Sequence, residues 1–237
     1  MGILKSDAAL DQNDFYPHGF RSKFHTARTV LREMGPVLFL TRVLPWSFRR
    51  QYVFYSERIR IPEVCPYLPA RFGFGIAGKK DLDPLMALRK GYYKREMLER
   101  RLDMGQMCFL GWNGKDLVHV RWLFLGTFYV PYLRRRIVLG PDEVFGDEAY
   151  TAPDVRKQNI YACGGRLLRI ALLERGFHGL TVATASWNTS ARQAVLKAGM
   201  TEVASYGYWN GPGTRKFFWS GDIEVLDDGT IAFKACR

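Results

Sequence analysis

Hydrophobic and polar positions follow two different periods in the second half of the chain, and the change of period predicts the order of its elements. Residues 144–151 form a mixed apolar run that ends before Pro153, which cannot donate to a sheet ladder. Residues 160–175 place apolar and small side chains three or four positions apart, and Gly176 closes the pattern, as in an amphipathic helix. A β-rich run at 180–186 and a short helical pattern follow. The sequence therefore predicts strand, turn, helix, strand and a second helix.

The segments on either side of this unit predict further strands. Residues 71–76 alternate as a strand, and residues 85–102 keep helical spacing. Residues 107–112 and 117–126 are joined through Asn-Gly-Lys-Asp, a strong hairpin signal. Further strands are expected at 202–209 and 215–220, followed by a terminal hairpin over 223–232 that turns at Asp227-Asp228-Gly229. We predict an α/β fold: a mixed, twisted sheet of about seven strands with helices on both faces.

The N-terminal region differs from this pattern, and we predict a helical extension over residues 1–70 beside a main domain over residues 71–237. Between residues 21 and 60, nine basic side chains accompany only two acidic ones. Aromatic and aliphatic residues interleaved with arginine are typical of a helix lying on an anionic membrane. A helix packed on the core with snorkelling arginines has the same pattern, so both interpretations stay open.

Composition and charge narrow the class of protein. The chain has 237 residues, 47% of them apolar, which favours a packed globular protein. Its formal net charge of +12 favours acidic partners such as nucleotide phosphates, nucleic acid or anionic lipid. The four cysteines have no C-x-x-C spacing, which indicates a reduced protein without a zinc site, and no apolar run reaches eighteen residues. We expect a cytoplasmic location, and no metal.

The turn between the first strand and helix of the unit suits an anion. The first turn of a helix has about four backbone N–H groups without intrahelical partners, and the helix dipole adds partial positive charge. Arg156 and Lys157 lie beside this turn, which favours phosphate or pyrophosphate. An ordinary solvated helix start would have the same sequence.

The order of these elements, together with two short motifs, resembles the GNAT (Gcn5-related N-acetyltransferase) superfamily over roughly sixty residues. The family's Arg/Gln-x-x-Gly-x-Gly/Ala motif after its fourth strand falls on Arg156, Asn159 and Tyr161. Its later pattern of Asn-x-x-Ser/Ala, a Lys and Gly-Phe matches Asn188, Ala191, Lys197, Gly199 and Met200.

Three positions depart from the family pattern. Asn159 and Tyr161 replace the two loop glycines, and Val195 stands where many members have a tyrosine that protonates the thiolate. Asparagine tolerates positive φ better than most residues, so we expect Asn159 to adopt it. Tyr161 then requires ordinary helical dihedral angles.

The resemblance implies direct transfer of an acetyl or longer acyl group from an acyl-CoA co-substrate to a primary amine in a ternary complex. Backbone amides between the fourth and fifth strands would hold the pantetheine arm and the thioester carbonyl. Asn188 would bond the arm, cap a helix, or do both. The implied cofactor contacts are Tyr150, Thr151, Ala152, Arg156, Lys157, Gln158, Asn159, Ile160, Tyr161 and Asn188.

Acidic residues on or just before the fourth strand are candidates for the general base. Glu143 and Asp147 share a strand face, because residues four apart on a strand point the same way, whereas Glu148 should point oppositely. Partial burial near a cleft would raise the pKa of such a carboxyl group toward working pH. Glu143 is the first choice and Asp147 the second, although each fits a solvated strand end equally well. Tyr206, Tyr208 or water would replace the proton donor missing at Val195.

Other functions also fit the sequence. One is a non-catalytic acyl-CoA or membrane-surface binding module, and another is a long-chain acyltransferase acting on an amino acid, amino sugar or lipid head group. The expected partners are a small-molecule or lipid amine acceptor, an anionic membrane surface through residues 21–60, and a second copy in a homodimer. Nucleic acid is not expected. A location at the inner face of the membrane is the alternative to a freely cytoplasmic one.

Overall fold

Eight strands form one mixed sheet in the computed structural model, which describes residues 48–60, 69–156, 158–210 and 215–234, with Gly35 and Val37. They are β1 (Arg49–Arg58), β2 (Phe72–Ile76), β3 (Met107–Asn113), β4 (Asp116–Phe124), β7 (Glu143–Thr151), β8 (Gly179–Ala185), β9 (Thr201–Asn210) and β10 (Arg215–Gly221). Their order across the sheet is β10-β9-β1-β8-β7-β4-β3-β2. Every neighbouring pair is antiparallel except β7 and β8, which are parallel.

In the part of the chain that the structure describes, four α-helices cover the two faces of this sheet. α1 (Leu82–Leu88) and α2 (Arg95–Asp103) lie on one face, and α3 (Ile160–Leu173) and α4 (Thr189–Lys197) lie on the other. The single helix predicted over residues 85–102 is instead this α1–α2 pair, interrupted at Gly91, whose φ of 77° is left-handed. In the described ranges, none of the helices is long and apolar enough to cross a membrane.

A second, four-stranded sheet packs on the α1/α2 face. It contains β5 (Thr127–Val130), β6 (Arg135–Val138), β11 (Ile223–Val225) and β12 (Ile231–Phe233), in the order β11-β12-β6-β5. Strands β5 and β6 were not predicted from the sequence; they lie between the strands expected at 117–126 and 144–151. Both strands are short, and the pairing of β6 with β12 joins residues about ninety positions apart, as between Ile137 and Ile231.

Successive side chains of the central strands point to opposite faces of the sheet, which divides the core into two apolar layers. Phe54 and Phe145 face α1 and α2, whereas Val53 and Val144 face α3 and α4. Both layers are closed, because these four side chains are 3% exposed or less. The predicted fold class, a mixed twisted sheet with helices on both faces, is therefore confirmed.

The N-terminal region needs a correction in its described part. Residues 49–58 were assigned to the helical extension, but they form β1, an interior strand between β8 and β9. Arg50 and Arg58 flank a buried run from Tyr52 to Ser56. The mixture of arginine and apolar residues that suggested a membrane helix is therefore partly that of a strand buried on both faces. Most of residues 1–47 lies outside the described residues, and so does most of the proposed membrane segment.

Gly207 provides a test of the close approach between β1 and β9. A Cβ atom at this position would overlap the Arg50 carbonyl oxygen and the ring of Phe218. We expect Gly207→Ala to lower the free energy of unfolding by about 1–3 kcal/mol, because a backbone carbonyl cannot move aside without separating the strands.

Gly73→Ala is the matched control, since this strand glycine has nothing within 4 Å of the added atom. It should leave stability unchanged or raise it by up to about 1 kcal/mol. Urea unfolding of both variants measures the difference, and equal stabilities would contradict the tight β1–β9 packing.

Candidate active site

The two parallel strands at the centre of the sheet separate before either of them ends. The ladder between β7 and β8 runs from Glu143 paired with Gly179 to Gly146 paired with Val182. Beyond this point β7 continues to Thr151, bonded to β4, and β8 continues to Ala185, bonded to β1. Residues 147–151 and 183–185 therefore face each other across a gap, which we call the wedge.

Backbone N–H groups face into the wedge from both sides. Ala152 N–H donates to the Val118 carbonyl on β4 at 2.8 Å. Because neighbouring N–H groups of a strand point in opposite directions, the Thr151 N–H faces β8. By the same alternation the Ala185 N–H faces β7, since Ser186 N–H donates to Gln51 of β1. These donors suit an extended chain of amide groups lying in the wedge.

The N-terminus of α3 lies at the wide end of the wedge. Asn159 has φ 58° and ψ 11°, so it adopts the left-handed conformation expected of the residue that replaces a loop glycine. Tyr161 lies within α3, so it has the helical conformation that we expected of the residue replacing the second loop glycine. The Asn159 side chain makes no capping hydrogen bond, which leaves the first-turn N–H groups without that cap.

A cleft of about 390 Å³ opens between the start of α3 and one face of α4. The predicted cofactor residues Thr151, Arg156, Asn159, Ile160 and Tyr161 line one side of it. Across the cleft, α4 contributes side chains that the cofactor prediction did not include, Ser190, Gln193 and Lys197. Lys157, the other basic residue of the predicted turn, lies outside the described residues.

The remaining predicted cofactor contacts do not line this cleft. Tyr150 belongs to the apolar layer on the α1/α2 face. Gln158 accepts a hydrogen bond from Arg71 at 3.1 Å, and the Ala152 N–H is used by β4. Asn188 caps α4 by accepting from Ala191 N–H at 3.1 Å, so the capping role is observed.

Glu143, the first choice for the general base, lies at the closed end of the β7/β8 ladder. It accepts a hydrogen bond from Gly140 N–H at 2.8 Å and packs over Gly179. Four strand residues, about 13 Å, separate it from Asp147, where the wedge begins. This placement argues against Glu143 as the base.

Glu148 is held in a buried ion pair. Its two carboxylate oxygens accept from Arg101 of α2 at 2.7 and 3.1 Å, and neither side chain is more than 4% exposed. The prediction that Glu148 points away from the Asp147 face was wrong. A bulge in β7 gives Glu148 a φ of 49° and resets the alternation, so its carboxylate reaches the α1/α2 face.

Asp147 lies at the beginning of the wedge on the α1/α2 face. Its Oδ1 accepts from Glu148 N–H at 2.7 Å. Burial, followed by the charge of Asp147 beside it, raises the pKa of the Tyr132 hydroxyl. The ring of Tyr132 lies 4.9 Å from that of Tyr52 on β1. Asp147 is thus the predicted acid that lies both at the wedge and beside the tyrosine pair Tyr132 and Tyr52.

Tyr206, the proposed substitute proton donor, does not lie beside the wedge. Strands β1 and β8 separate its strand from β7, and its hydroxyl accepts from Arg135 Nε at 2.7 Å. Burial raises the pKa of Tyr206 to about 12, against the opposing effect of Arg135. Tyr208, two residues later on the same strand, donates to the Tyr132 carbonyl at 3.1 Å and so helps to hold Tyr132 beside Asp147.

Sequence reasoning missed several residues near the wedge. Tyr52 was read as part of the N-terminal extension, and Tyr132 lies in a loop without a motif. Arg89 follows α1, and its guanidinium lies 3.3 Å from the centre of the Tyr92 ring and 5.1 Å from that of Tyr150. The spacing of Arg89 and Tyr92 on a predicted helix was the available signal, but it resembled an ordinary helix face.

His119 ties β4 to the wide end of the wedge. Its Nδ1 lies 2.8 Å from Thr151 Oγ1, and its ring meets the edge of Tyr161 with centres 6.4 Å apart. Burial, together with the charge of Arg121, lowers the pKa of His119 from 6.5 to about 3. The imidazole is therefore neutral near pH 7 and acts as a fixed hydrogen-bond partner of Thr151.

No family model and no curated protein matches the chain, but solved structures do. A GNAT-family acetyltransferase from Colwellia psychrerythraea is 16% identical (TM-score 0.48) over 65% of this chain and 53% of that one, so this chain spans about half its length. A predicted acetyltransferase with acetyl-CoA from Clostridium acetobutylicum is 15% identical (TM-score 0.40) over 55% and 90% of the two chains. An aminoglycoside 6′-N-acetyltransferase from Acinetobacter baumannii is 12% identical (TM-score 0.44) over 55% and 91%.

His119 makes the stability of the protein depend on pH. Between pH 6.5 and about 3 the unfolded chain binds a proton at this residue and the folded protein does not. The free energy of unfolding should therefore fall as pH falls through this window, by up to about 1.4 kcal/mol per pH unit. Urea unfolding at several pH values measures the slope, and His119→Gln should remove this part of it. Parallel slopes for the two proteins would contradict the buried neutral imidazole.

Proposed function

We propose that this chain is a GNAT-type N-acyltransferase, which moves an acyl group from acyl-CoA to a primary amine in a ternary complex. The observation that carries the proposal is the wedge: two parallel strands part at Gly146 and Val182 beside an uncapped helix N-terminus. A break in a sheet connects its two faces, so one substrate can enter from the α3/α4 face and the other from the α1/α2 face.

The cleft between α3 and α4 suits the phosphate end of the co-substrate. Pyrophosphate would accept hydrogen bonds from the first-turn N–H groups of α3, with the helix dipole and Arg156 adding positive charge. Arg156 is exposed, and its Nε donates to the Thr151 carbonyl at 3.1 Å, which holds the guanidinium beside the cleft. Lys197 supplies a second cation on the opposite wall.

The length of the wedge supports the same orientation. The pantetheine arm between the pyrophosphate and the sulfur has about twelve chain atoms, the length of about four extended residues, or roughly 14 Å. Strand β7 covers a similar distance from Thr151 back to Asp147. The N–H groups of Thr151 and Ala185 would bond the amides of the arm, and the thioester would reach the level of Asp147.

Asp147 is then the general base for the incoming amine. Its carboxylate lies on the α1/α2 face, which also carries the small side chains of Ala183 and Ala185 of β8, and the acceptor would bind on this face. Asp147 would take a proton from the amine as the nitrogen attacks the thioester carbon, and the C–S bond then breaks. Val195 is 2% exposed in the core and cannot protonate the departing thiolate, so water would do so.

Binding at the α3 turn can be measured with coenzyme A. We expect Arg156→Ala to weaken binding by about 1–3 kcal/mol, as the loss of a charge-assisted phosphate contact. Isothermal titration calorimetry measures the affinity. Arg175→Ala is the control, because this exposed arginine follows the other end of α3 and lowers the net charge equally. Equal affinities of the two variants would show that the phosphate binds elsewhere.

Turnover tests the base. We expect Asp147→Asn to lower the rate of acetyl-CoA-dependent thiol release, measured against a panel of primary amines, by about 10²–10⁴-fold. Affinity for coenzyme A should stay nearly constant, since Asp147 does not reach the phosphate end. The defect should shrink at high pH, where more of the amine is already neutral. Full activity of Asp147→Asn together with a large loss in Glu143→Gln would return the assignment to Glu143.

A further inference from the structure

Among the described residues, three arginines are nearly completely buried, and two of them have a carboxylate partner. Arg101 is 0% exposed and pairs with Glu148 through two hydrogen bonds. Arg169 is 4% exposed and pairs with Glu57 in the same way, at 2.9 and 3.0 Å. Arg121 is 5% exposed, yet no hydrogen bond or ion pair joins its guanidinium to another described side chain. Its close contact is the ring of Tyr161, 4.5 Å away.

Arg121, on β4, extends its side chain over the neighbouring strand β7 at the point where the wedge begins. Its side chain lies on the α3/α4 face of β4 and extends over Gly146, where an added Cβ would lie 3.6 Å from Arg121 Cδ. Gly146 is the last residue of β7 paired with β8. The aliphatic part of Arg121 therefore packs beside the backbone at the narrow end of the wedge.

The surroundings of Arg121 favour an anion from outside the protein. Burial of a guanidinium without a hydrogen-bonded anion costs free energy, and a low-dielectric setting strengthens its attraction for one. The nearby Glu57 carboxylate acts on it electrostatically but has both oxygens engaged by Arg169. Tyr161, whose ring contacts the Arg121 guanidinium, is also one of the residues that line the phosphate cleft.

We propose that Arg121 binds a carboxylate on the acyl group itself, so that the co-substrate is a dicarboxylic acyl thioester such as succinyl-CoA. This inference rests on the proposed function. With the phosphates at α3 and the thioester at the level of Asp147, the acyl chain extends to the narrow end of the wedge, where the guanidinium lies. The amine approaches Asp147 from the α1/α2 face, which leaves the α3/α4 side to the acyl chain.

Calorimetry with three probes tests this assignment on the intact protein. Coenzyme A reports the phosphate and pantetheine contacts, and butyryl-CoA and succinyl-CoA add four-carbon chains that differ by one carboxylate. We expect the wild-type protein to bind succinyl-CoA about 10- to 100-fold more tightly than butyryl-CoA, as for a buried charge-assisted pair. Arg121→Met should remove this preference and leave the affinity for coenzyme A within about twofold of that of the wild-type protein.

The controls separate the inference from the proposed function. Arg89→Met removes an arginine on the other face and should keep the succinyl preference. Arg121→Lys retains the charge and should keep part of the succinyl preference. This variant provides the test if the methionine variant does not fold. Equal binding of succinyl-CoA and butyryl-CoA by the wild-type protein would overturn the inference while coenzyme A still bound. A preference that survives Arg121→Met would also overturn it, and failure of all three probes to bind would overturn the proposed function.

Discussion

The central constraint of this structure is that backbone N–H and C=O groups need partners, and the β7/β8 ladder stops supplying them at Gly146 and Val182. On their outer sides both strands remain bonded, β7 to β4 and β8 to β1, so the opening is local and its walls are fixed. A flexible loop would have to be ordered by a ligand at an entropic cost, whereas these strands present their donors in advance. The candidate site, the cleft and the acid beside them all depend on this break.

The shape of the wedge on its β7 side depends on a buried ion pair. Glu148 has a positive φ, which is unfavourable for a residue with a side chain, and Arg101 holds its carboxylate with two hydrogen bonds. The Glu148 N–H in turn bonds Asp147 Oδ1. The bulge therefore fixes the direction of the acid next to it, and Glu148 acts on Asp147 as a positioning residue.

Local periodicity was sufficient to predict α3 and the turn before it, because these features depend on neighbours within a few residues. The left-handed Asn159 was predicted from its place in the GNAT-like motif, where it replaces a loop glycine. It also placed Glu143 and Asp147 on one face of a strand. It could not choose between them, because the point where β7 and β8 part is a property of two strands rather than one. The position of β1 was missed for a related reason: its partners are remote, and its arginine-rich ends resemble an amphipathic helix. Tyr52 and Tyr132 were missed with it.

The position of β1 has a consequence for how the protein folds. This strand fills the space between β8 and β9, so its contacts join distant parts of the chain, as Gln51 does with Ser205, 154 positions later. Contacts of such large sequence separation slow folding, because the closure of a long loop must precede them. During synthesis β1 is made more than a hundred residues before β8 and β9, so both of its edges stay unpaired until those strands have been made. Chaperone binding to the nascent chain would then matter more for this protein than for one whose sheet assembles in chain order.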